Sequence, residues 1–462
     1  MVLISIDTLR ADHLSCYGYG RITTPNLDNL GEDGVVYENA YSTAAWTAPA
    51  HASMLTGLYP SCHGVVDNCR LSEDIPTLAE ILLENGYKTA GFVNNSQVGE
   101  LVGLGRGHET FIEVWRGTRG DPVVRKSIKY LIRNAKEFMG ISDHGADCTN
   151  RLVRQWIARN KSRHFYVFIH YVEPHNPINA PYPFKNKYWD KKKIKNIDRR
   201  KLRLVAHNPL VCFTDNIRLN EDEINGLKAL YDGEVSYMDQ KIGEVVEYLK
   251  SEGVYDNTLI IVTADHGEHF DEHGLYSHVA SLYEPIVHVP LIMKYPAWAS
   301  KRGRVGKVVQ VLDICCAVVE AAGIGRKFLS GAQGRSLAMA DVDGRCRDYV
   351  VAEWEGRVPY FVLDRMGGLG GEALVRQFRE PMVMIRKERY KLIRRASGKE
   401  ELYDVERDRG ELNNIREERR EIAGVLSSRL SEWESVNSRV KRERRGAVDG
   451  ITRKNLESLG YM

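Results

Sequence analysis

The sequence predicts an α/β protein: a mostly parallel sheet sandwiched by helices, with a smaller C-terminal α+β subdomain. Two observations predict this fold. Apolar runs bounded by turn residues alternate with helical patterns over residues 1–340, as they do where crossover helices connect parallel strands. Beyond residue 340, short strand patterns follow one another instead. With 462 residues, of which 43% are hydrophobic, the chain is long enough for two domains, 1–340 and 341–462.

Apolar runs and helical spacing place the individual elements. Five apolar runs are the predicted strands of the first domain: Val2–Ile6, Lys88–Val93, Phe165–Tyr171, Leu259–Thr263 and Pro290–Lys294. Four segments are its predicted helices: Thr77–Asn85, Asp147–Arg159, Glu221–Glu252 and Val308–Ala322. Three antiparallel strands and a charged amphipathic helix are predicted for the second: Tyr349–Trp354, Met382–Arg386, Tyr390–Arg395 and Arg416–Glu434.

Composition excludes several classes of protein. The formal net charge is only +3, so charge gives no indication of a nucleic-acid partner. No run of eighteen or more apolar residues is present, which argues against a membrane span. The first residues already have the pattern of a buried strand, so we expect no signal peptide and a cytoplasmic location, if Met1 is the natural start. The eight cysteines are scattered without a C-x-x-C pair and are predicted to be buried, reduced thiols.

Three predicted strands end in polar residues that suit metal or phosphate chemistry. The first leads into Asp7, another into Asp265 and His266, and a third carries His170 and leads into His175. In parallel α/β sheets, ligands bind beyond the carboxyl ends of the strands, so these side chains should converge. A single Asp at a strand end is usually a turn former or a helix cap. A structural role, however, does not require three such ends together.

Thr47 precedes a predicted helix whose first turn contains Pro49. A helix start offers free backbone N–H groups and the positive end of the helix dipole, and can therefore hold a tetrahedral oxyanion. From this segment alone, a threonine at this position is also explained as a helix N-cap.

Several segments resemble, in the right order, the motifs of one family. They are Ile6–Gly18 with Thr24–Asp28, Thr47–His51 with Leu55–Gly57 and Tyr59–Pro60, Ala264–Glu268, Tyr283–Leu291, and Glu401–Asn413. Together they resemble the sulfatase family of the alkaline phosphatase superfamily, from the first strand to about residue 415. The resemblance implies an alkaline phosphatase-like fold and an enzyme that hydrolyses sulfate or phosphate esters.

The resemblance also implies one divalent metal ion held by Asp7, Asp265 and His266, with the oxygen of Thr47 at or near it. Metal coordination would activate the threonine by stabilising its alkoxide. Sulfatases with Asn after the second Asp use calcium, whereas the nitrogen ligand His266 favours manganese or zinc.

Four further residues take their predicted roles from the resemblance. His175 and His278 match positions that contact the transferred group or the leaving oxygen. His51 replaces the arginine of the nucleophile motif. Asn95 stands where a catalytic lysine usually lies and is expected to make a polar contact instead. In addition, Thr8 follows Asp7 where many sulfatases have a second Asp.

The nucleophile position predicts the preferred substrate. In sulfatases, Cys or Ser becomes formylglycine, and threonine cannot yield that aldehyde. A sulfated Thr47 would therefore be long-lived, whereas a phosphorylated one can be hydrolysed at phosphorus. We therefore expect a small anionic ester as substrate, with a phosphodiester or a phosphonate monoester preferred over a sulfate. The alternatives are a phosphotransferase with an alcohol acceptor and a non-catalytic binding protein; the leaving group and the oligomeric state stay open.

Two basic segments, Lys191–Arg203 and Lys441–Arg445, have no role in this hypothesis. They are explained as solvated faces of a loop and a tail, or as regions that attract an anionic substrate or surface.

Overall fold

The computed structural model describes residues 1–66, 69–116, 143–192, 194–325, 331–337, 347–356, 372–437, 443–444 and 450–458. Eight strands form its central sheet. In chain order they are β1 Val2–Ile6, β2 Val35–Tyr41, β3 Lys88–Val93, β4 Thr110–Glu113, β5 Phe165–Tyr171, β6 Ile260–Ala264, β7 His288–Lys294 and β8 Gly303–Gln310. Their spatial order is β8-β2-β7-β6-β1-β5-β3-β4. Only β7 runs antiparallel to its neighbours β2 and β6 among these described strands, so the sheet is mostly parallel, as predicted.

Helices cover this sheet. The α-helices are α1 Pro25–Glu32, α2 Thr47–Thr56, α3 Pro60–His63, α4 Leu78–Glu84, α5 Ala146–Asn160, α6 Arg199–His207, α7 Val211–Thr214, α8 Glu221–Ser251, α9 Glu284–Val287, α10 Asp313–Ala321, α11 Glu372–Arg379, α12 Arg420–Val436 and α13 Gly450–Ser458. One group packs around α8 and includes α1, α5 and α6, while α2, α4 and α10 pack together as a second group. None of the helices among the described residues is long and apolar enough to cross a membrane.

Local sequence explains where the predicted helices begin. Thr77 caps α4 by accepting a hydrogen bond from the Glu80 amide at 3.2 Å, and the Glu80 carboxylate accepts from the Thr77 amide at 2.8 Å. Asn220 and Glu223 form the same reciprocal pair at the start of α8, at 2.9 and 2.8 Å. These capping boxes satisfy backbone donors that have no partner within the helix.

The predicted helix Val308–Ala322 is partly wrong. Residues 308–310 belong to β8 and pair in parallel with residues 39–41 of β2, and the helix begins only at Asp313. The side chain of Asp313 accepts a hydrogen bond from the Gln310 amide at 2.8 Å, which separates strand from helix. An apolar run buried in a sheet cannot be told from a buried helical segment by periodicity alone.

The C-terminal part is an antiparallel sheet with α12 packed against it, as predicted, but the sheet has a fourth strand in addition to the three predicted ones. Its strands are β9 Val350–Trp354, β10 Met382–Lys387, β11 Tyr390–Arg395 and β12 Glu400–Asp404, in that order. One face packs on α12 in a separate core that includes Ile385 and Leu430. The other face joins the main core through residues such as Trp354 and Met384. The predicted domain boundary at residue 340 falls in 338–346, outside the described residues, and stays a prediction.

Two short strand pairs complete the described sheet structure: Cys69–Arg70 with Glu443–Arg444, and His269–Phe270 with Tyr276–Ser277. Seven cysteines are free thiols, with four of them buried and three half-buried: Cys69, Cys212, Cys315, Cys316, Cys16, Cys62 and Cys148. This agrees with the predicted reduced state of the described cysteines.

A buried ion-pair network joins the two parts. Lys391 on β11 is fully buried, and its Nζ lies 3.0 Å from a carboxylate oxygen of Glu284 and 2.8 Å from one of Glu411. The carboxylate of Glu411 also accepts a hydrogen bond from the Glu284 amide at 2.6 Å. The network therefore connects the C-terminal sheet to the start of α9, which leads into β7 of the central sheet.

We expect Lys391→Met to lower the free energy of unfolding by about 3–5 kcal/mol, because two largely buried carboxylates lose their cation. Urea unfolding followed by circular dichroism measures this loss. Lys387→Met is the matched control, since its Nζ pairs with Asp348 at the surface at 2.9 Å and such pairs contribute roughly 1 kcal/mol or less. Equal losses of unfolding free energy in the two variants would show that the buried network stabilises the protein no more than the surface ion pair does.

Candidate active site

Three adjacent parallel strands direct polar residues to one edge of the sheet. β1 lies between β5 and β6, with Ile6 opposite Tyr171 on one side and Ala264 on the other. The residues that follow Ile6 and Ala264 are Asp7 and Asp265, which therefore emerge side by side. This is the carboxyl edge at which parallel α/β sheets bind their ligands.

Asp7, Asp265 and His266 form a fully buried cluster in which one ligand atom from each lies within 4.8 Å of the others. Oδ1 of Asp7 and Oδ2 of Asp265 accept no hydrogen bond from any residue that the structure describes. A buried carboxylate oxygen without a donor is costly unless a cation compensates it. Two carboxylates and one imidazole are a donor set that fits manganese or zinc, so these residues fit the expected metal ion.

The two carboxylates differ in their electrostatics. Burial disfavours the charge of Asp7, but His175, His170 and His266 outweigh burial and hold its pKa well below the usual range. Burial, and then the nearby charge of Asp7, raise the pKa of Asp265 to about 6. The cluster therefore concentrates negative charge that a divalent cation would compensate.

Thr47 is the first residue of α2, and Trp46 occupies the N-cap position in an extended conformation. The Thr47 hydroxyl is fully buried and lies 3.2 Å from Nε2 of His266. The helix start and the predicted metal ligands therefore meet at this hydroxyl. The simpler explanation, in which Thr47 itself is the N-cap, does not match this arrangement.

His51 joins the start of α2 to strand β1. Its Nδ1 donates a hydrogen bond to the Thr47 carbonyl at 2.8 Å, and its Nε2 accepts one from the Ser5 hydroxyl at 2.8 Å. Ser5 lies on β1, two residues before Asp7, which directly follows the strand. Burial, followed by the proximity of His170, lowers the pKa of His51 to about 3. The residue that replaces the motif arginine is thus uncharged at neutral pH.

The ring of His278 lies next to that of His266, and the ring of His175 lies next to that of His278. The His278 ring centroid is 4.6 Å from that of His266 and 5.2 Å from that of His175. Nδ1 of His278 lies 3.4 Å from a carboxylate oxygen of Glu268. Burial lowers the pKa of both His175 and His278, and it raises the pKa of Glu268 to about 7. The predicted contacts of the two histidines with the transferred group stay a prediction.

Asn95, which follows β3, donates a hydrogen bond from Nδ2 to Oδ2 of Asp7 at 2.8 Å. The expected polar contact of Asn95 is therefore made to a predicted metal ligand. The side-chain oxygen Oδ1 of Asn95 accepts a hydrogen bond from the Gln97 amide at 2.9 Å, which fixes the orientation of the side chain.

Three residues that lie at the candidate active site were given no role in the sequence analysis: His170, Glu268 and Ser5. Nε2 of His170 lies 3.6 Å from Oδ2 of Asp7, and its position at a strand end was a usable signal. Glu268 directly follows the Asp265–Gly267 motif, which was also a signal. Ser5 gave none, because one serine within an apolar strand is common and its partner His51 is 46 residues away.

With this geometry established, comparison with known proteins identifies the family. Residues 1–324 match the family profile described as Sulfatase. The chain belongs to the sulfatase family. Residues 271–435 also match the profile described as N-sulphoglucosamine sulphohydrolase, C-terminal.

Individual relatives of this sulfatase-family chain are distant but similar over most of their length. The Delta 4,5-hexuronate-2-O-sulfatase of Bacteroides thetaiotaomicron is 24% identical, over 90% of this chain and 84% of that protein. The choline-sulfatase of Rhizobium meliloti is 25% identical, over 85% of this chain and 77% of that protein. Among solved structures, the phosphonate monoester hydrolase of Agrobacterium radiobacter is 20% identical with a TM-score of 0.70, over 94% of this chain and 95% of that one.

Membership in the sulfatase family makes this chain an ester hydrolase that acts on sulfate or phosphate esters. Enzymes of this kind generally bind a divalent metal, and the cluster of Asp7, Asp265 and His266 is the candidate site for it.

Proposed function

We propose that this enzyme hydrolyses its esters through a covalent intermediate on Thr47, and that it prefers phosphodiesters or phosphonate monoesters. The observation that carries the proposal is the position of the Thr47 hydroxyl, 3.2 Å from Nε2 of His266 at a helix start. An alcohol beside a cluster of metal-type ligands is an arrangement suited to nucleophilic ester cleavage.

Asp7, Asp265 and His266 would hold one divalent ion, with manganese or zinc favoured over calcium by the nitrogen donor. When bound, such an ion lowers the pKa of a nearby hydroxyl and offsets the negative charge of the ester. The other residues position these groups. Asn95 holds the carboxylate of Asp7, and His51 holds the helix that carries the nucleophile.

The reaction would proceed in two displacements at phosphorus. In the first, Oγ1 of Thr47 forms a bond to phosphorus, loses its proton, and the alcohol leaves with one proton. In the second, water attacks phosphorus, the bond to Oγ1 breaks, and Thr47 regains a proton. His175 and His278 would contact the transferred group in both steps, and the backbone N–H groups at the start of α2 would help to bind its oxygens.

The preference for phosphorus follows from the nucleophile. A sulfate ester of Thr47 has no geminal hydroxyl from which to eliminate sulfate, so it would persist. A phosphoryl group on Thr47 can leave by attack of water on phosphorus. The similarity to a phosphonate monoester hydrolase over 94% of this chain supports the same preference for phosphorus over sulfur.

We expect the manganese-loaded enzyme to turn over 4-nitrophenyl phenylphosphonate at least about ten-fold faster than 4-nitrophenyl sulfate, a difference of roughly 1.4 kcal/mol in activation free energy. Release of 4-nitrophenol measures both rates. On the sulfate, we expect at most one equivalent of product per enzyme, with sulfate retained on the peptide that contains Thr47, as detected by mass spectrometry. Sustained and faster turnover of the sulfate would refute the preference for phosphorus.

A further inference from the structure

Two described parts of the chain beyond residue 437 lie against the part of the protein that contains the central sheet. Residues 443–444 pair with Cys69–Arg70 in a short antiparallel ladder. Helix α13 packs against two short helices, Ser96–Val98 and Val114–Arg116. Residues 443–444 and 450–458 are together called the C-terminal strap below. The chain thus returns to the central sheet after α12.

The strap reaches the edge of the sheet at which the candidate active site lies. The helix Ser96–Val98 follows β3, and Val114–Arg116 directly follows β4. Both strands belong to the same parallel set as β1, because β4 pairs with β3, β3 with β5, and β5 with β1, each in parallel. Helix α13 therefore lies at the carboxyl edge of the sheet, from which Asp7 also emerges.

The helix Ser96–Val98 connects α13 to the candidate active site. Asn95 is its N-cap residue, and its side chain accepts a hydrogen bond from the Gln97 amide at 2.9 Å. The same side chain donates to Oδ2 of Asp7 at 2.8 Å. All three residues of the helix are fully buried. A shift of this helix would therefore move Asn95 and change its contact with Asp7.

Apolar packing holds α13 in place. Leu456 is only 3% exposed and belongs to the same hydrophobic core as Val98. Helix α13 has nine residues, and a helix of this length is not stable in isolation. Its position therefore depends on tertiary contacts such as those of Leu456.

Polar contacts make a second attachment. Nη2 of Arg116 donates a hydrogen bond to the buried hydroxyl of Thr452 on α13 at 2.7 Å. Arg116 also forms an ion pair with Glu113, whose carboxylate accepts a hydrogen bond from the Glu100 amide at 3.2 Å. Because Glu100 lies two residues after the helix Ser96–Val98, these contacts link α13 to the chain on the far side of that helix as well.

We propose that the C-terminal strap holds Asn95 against Asp7 and thereby strengthens binding of the divalent ion. Leu456 is then a positioning residue that acts through the helix Ser96–Val98. The inference rests on the proposed function, in which Asp7 is one of the ligands of the ion. Groups that orient a metal ligand typically contribute 10–100-fold to metal affinity, so a loosened strap should have a measurable effect on metal binding.

Hydrogen exchange of the metal-free protein tests whether the strap holds the helix Ser96–Val98. Mass spectrometry on peptides within residues 94–100 reports how often the hydrogen bonds of this helix open. We expect exchange to be at least about ten-fold faster in Leu456→Ala and close to the natural rate in Leu456→Met, which keeps the volume of the side chain.

Leu430→Ala is the matched control for this experiment. Leu430 is also fully buried, but it lies in the separate core between α12 and the C-terminal sheet. Its replacement by alanine should leave exchange within residues 94–100 unchanged. Unchanged exchange in Leu456→Ala, or equal acceleration in Leu430→Ala, would overturn the proposal.

Metal affinity tests whether the strap acts through Asn95. Calorimetric titration with Mn²⁺ gives the dissociation constant for the natural protein, Leu456→Ala, Asn95→Ala and the double variant. We expect binding to weaken roughly ten-fold in Leu456→Ala and about 10–100-fold in Asn95→Ala. The double variant should match Asn95→Ala, because the strap has nothing to position once this side chain is removed. Effects that multiply in the double variant would show that the strap acts by another route and would overturn the proposal.

The proposed function and the role of the strap can fail separately. If no ester is turned over, cleavage through Thr47 fails, while hydrogen exchange and Mn²⁺ affinity still decide the role of the strap. If Mn²⁺ does not bind the natural protein, the metal site and the effect of the strap on it are both overturned. Hydrogen exchange then still decides whether the strap holds Asn95.

Discussion

Thr47→Ala should lower turnover of a phosphonate monoester by roughly 10³-fold or more, since removal of the nucleophile in other covalent hydrolases costs up to ~10⁶-fold. The variant lacks the only hydroxyl of residue 47, which lies 3.2 Å from Nε2 of His266. Folding should be almost unchanged, because alanine suits a helix and the two hydrogen bonds of His51 use the backbone of residue 47 and Ser5. Steady-state kinetics and the melting temperature measure the two effects.

Thr47→Ser is the matched control for this prediction. It keeps the oxygen and loses one methyl group, so we expect turnover within about ten-fold of the natural enzyme. Both variants should retain the bound metal ion, because Asp7, Asp265 and His266 are intact. Full activity in Thr47→Ala would show that another group attacks the ester, and equal inactivation of the serine variant would argue against a role for the hydroxyl.

Asp265→Asn should abolish both metal binding and turnover. The amide is a weaker ligand than a carboxylate for a divalent ion, and the site loses one of its two negative charges. The metal-free variant should be no less stable than the metal-free natural protein. Its amide oxygen can still accept the hydrogen bonds from the Thr8 and His266 amides, and repulsion by Asp7 is relieved. Metal analysis, kinetics and thermal melts with and without EDTA measure these effects.

Asp12→Asn is the control, at an acidic residue in the short helix Ala11–His13 that follows Asp7. Asp12 pairs with Arg10 at 2.8 Å and its side chain is 54% exposed, outside the metal-type cluster. We expect its metal content to equal that of the natural enzyme and its melting temperature to rise to the same extent with metal. A full equivalent of tightly bound metal in Asp265→Asn would contradict the ligand assignment.

The fold was largely predictable because the buried strands have clear apolar runs. Val2–Ile6, Lys88–Val93 and Phe165–Tyr171 are strands with the predicted bounds. The prediction failed where the apolar pattern is typical of one kind of secondary structure and the chain forms another. Residues 308–310 continue an apolar helical pattern but form a strand because β2 offers a free edge, which is a tertiary contact.

The part of the candidate site that was predictable is the part that strand ends and the order of the family motifs indicate. Asp7, Asp265 and His266 converge because parallel strands share one carboxyl edge. The hydrogen bond from Ser5 to His51 was not predictable, because it depends on how α2 packs against β1. The neutral state of His51 follows from the same packing, since burial determines it.

The uncharged state of His51 has a consequence for the net charge of the ester group that the site can bind. His51, His175 and His278 all have lowered pKa values because of burial, so none of them adds positive charge at neutral pH. The two carboxylates would balance a divalent ion, and Glu268, whose pKa burial raises to about 7, adds no positive charge either. A dianionic phosphate monoester would be left with excess charge in such a pocket, whereas a phosphodiester, a phosphonate monoester and a sulfate ester each carry one negative charge. Because a buried histidine replaces the motif arginine, we therefore expect the enzyme to favour monoanionic esters.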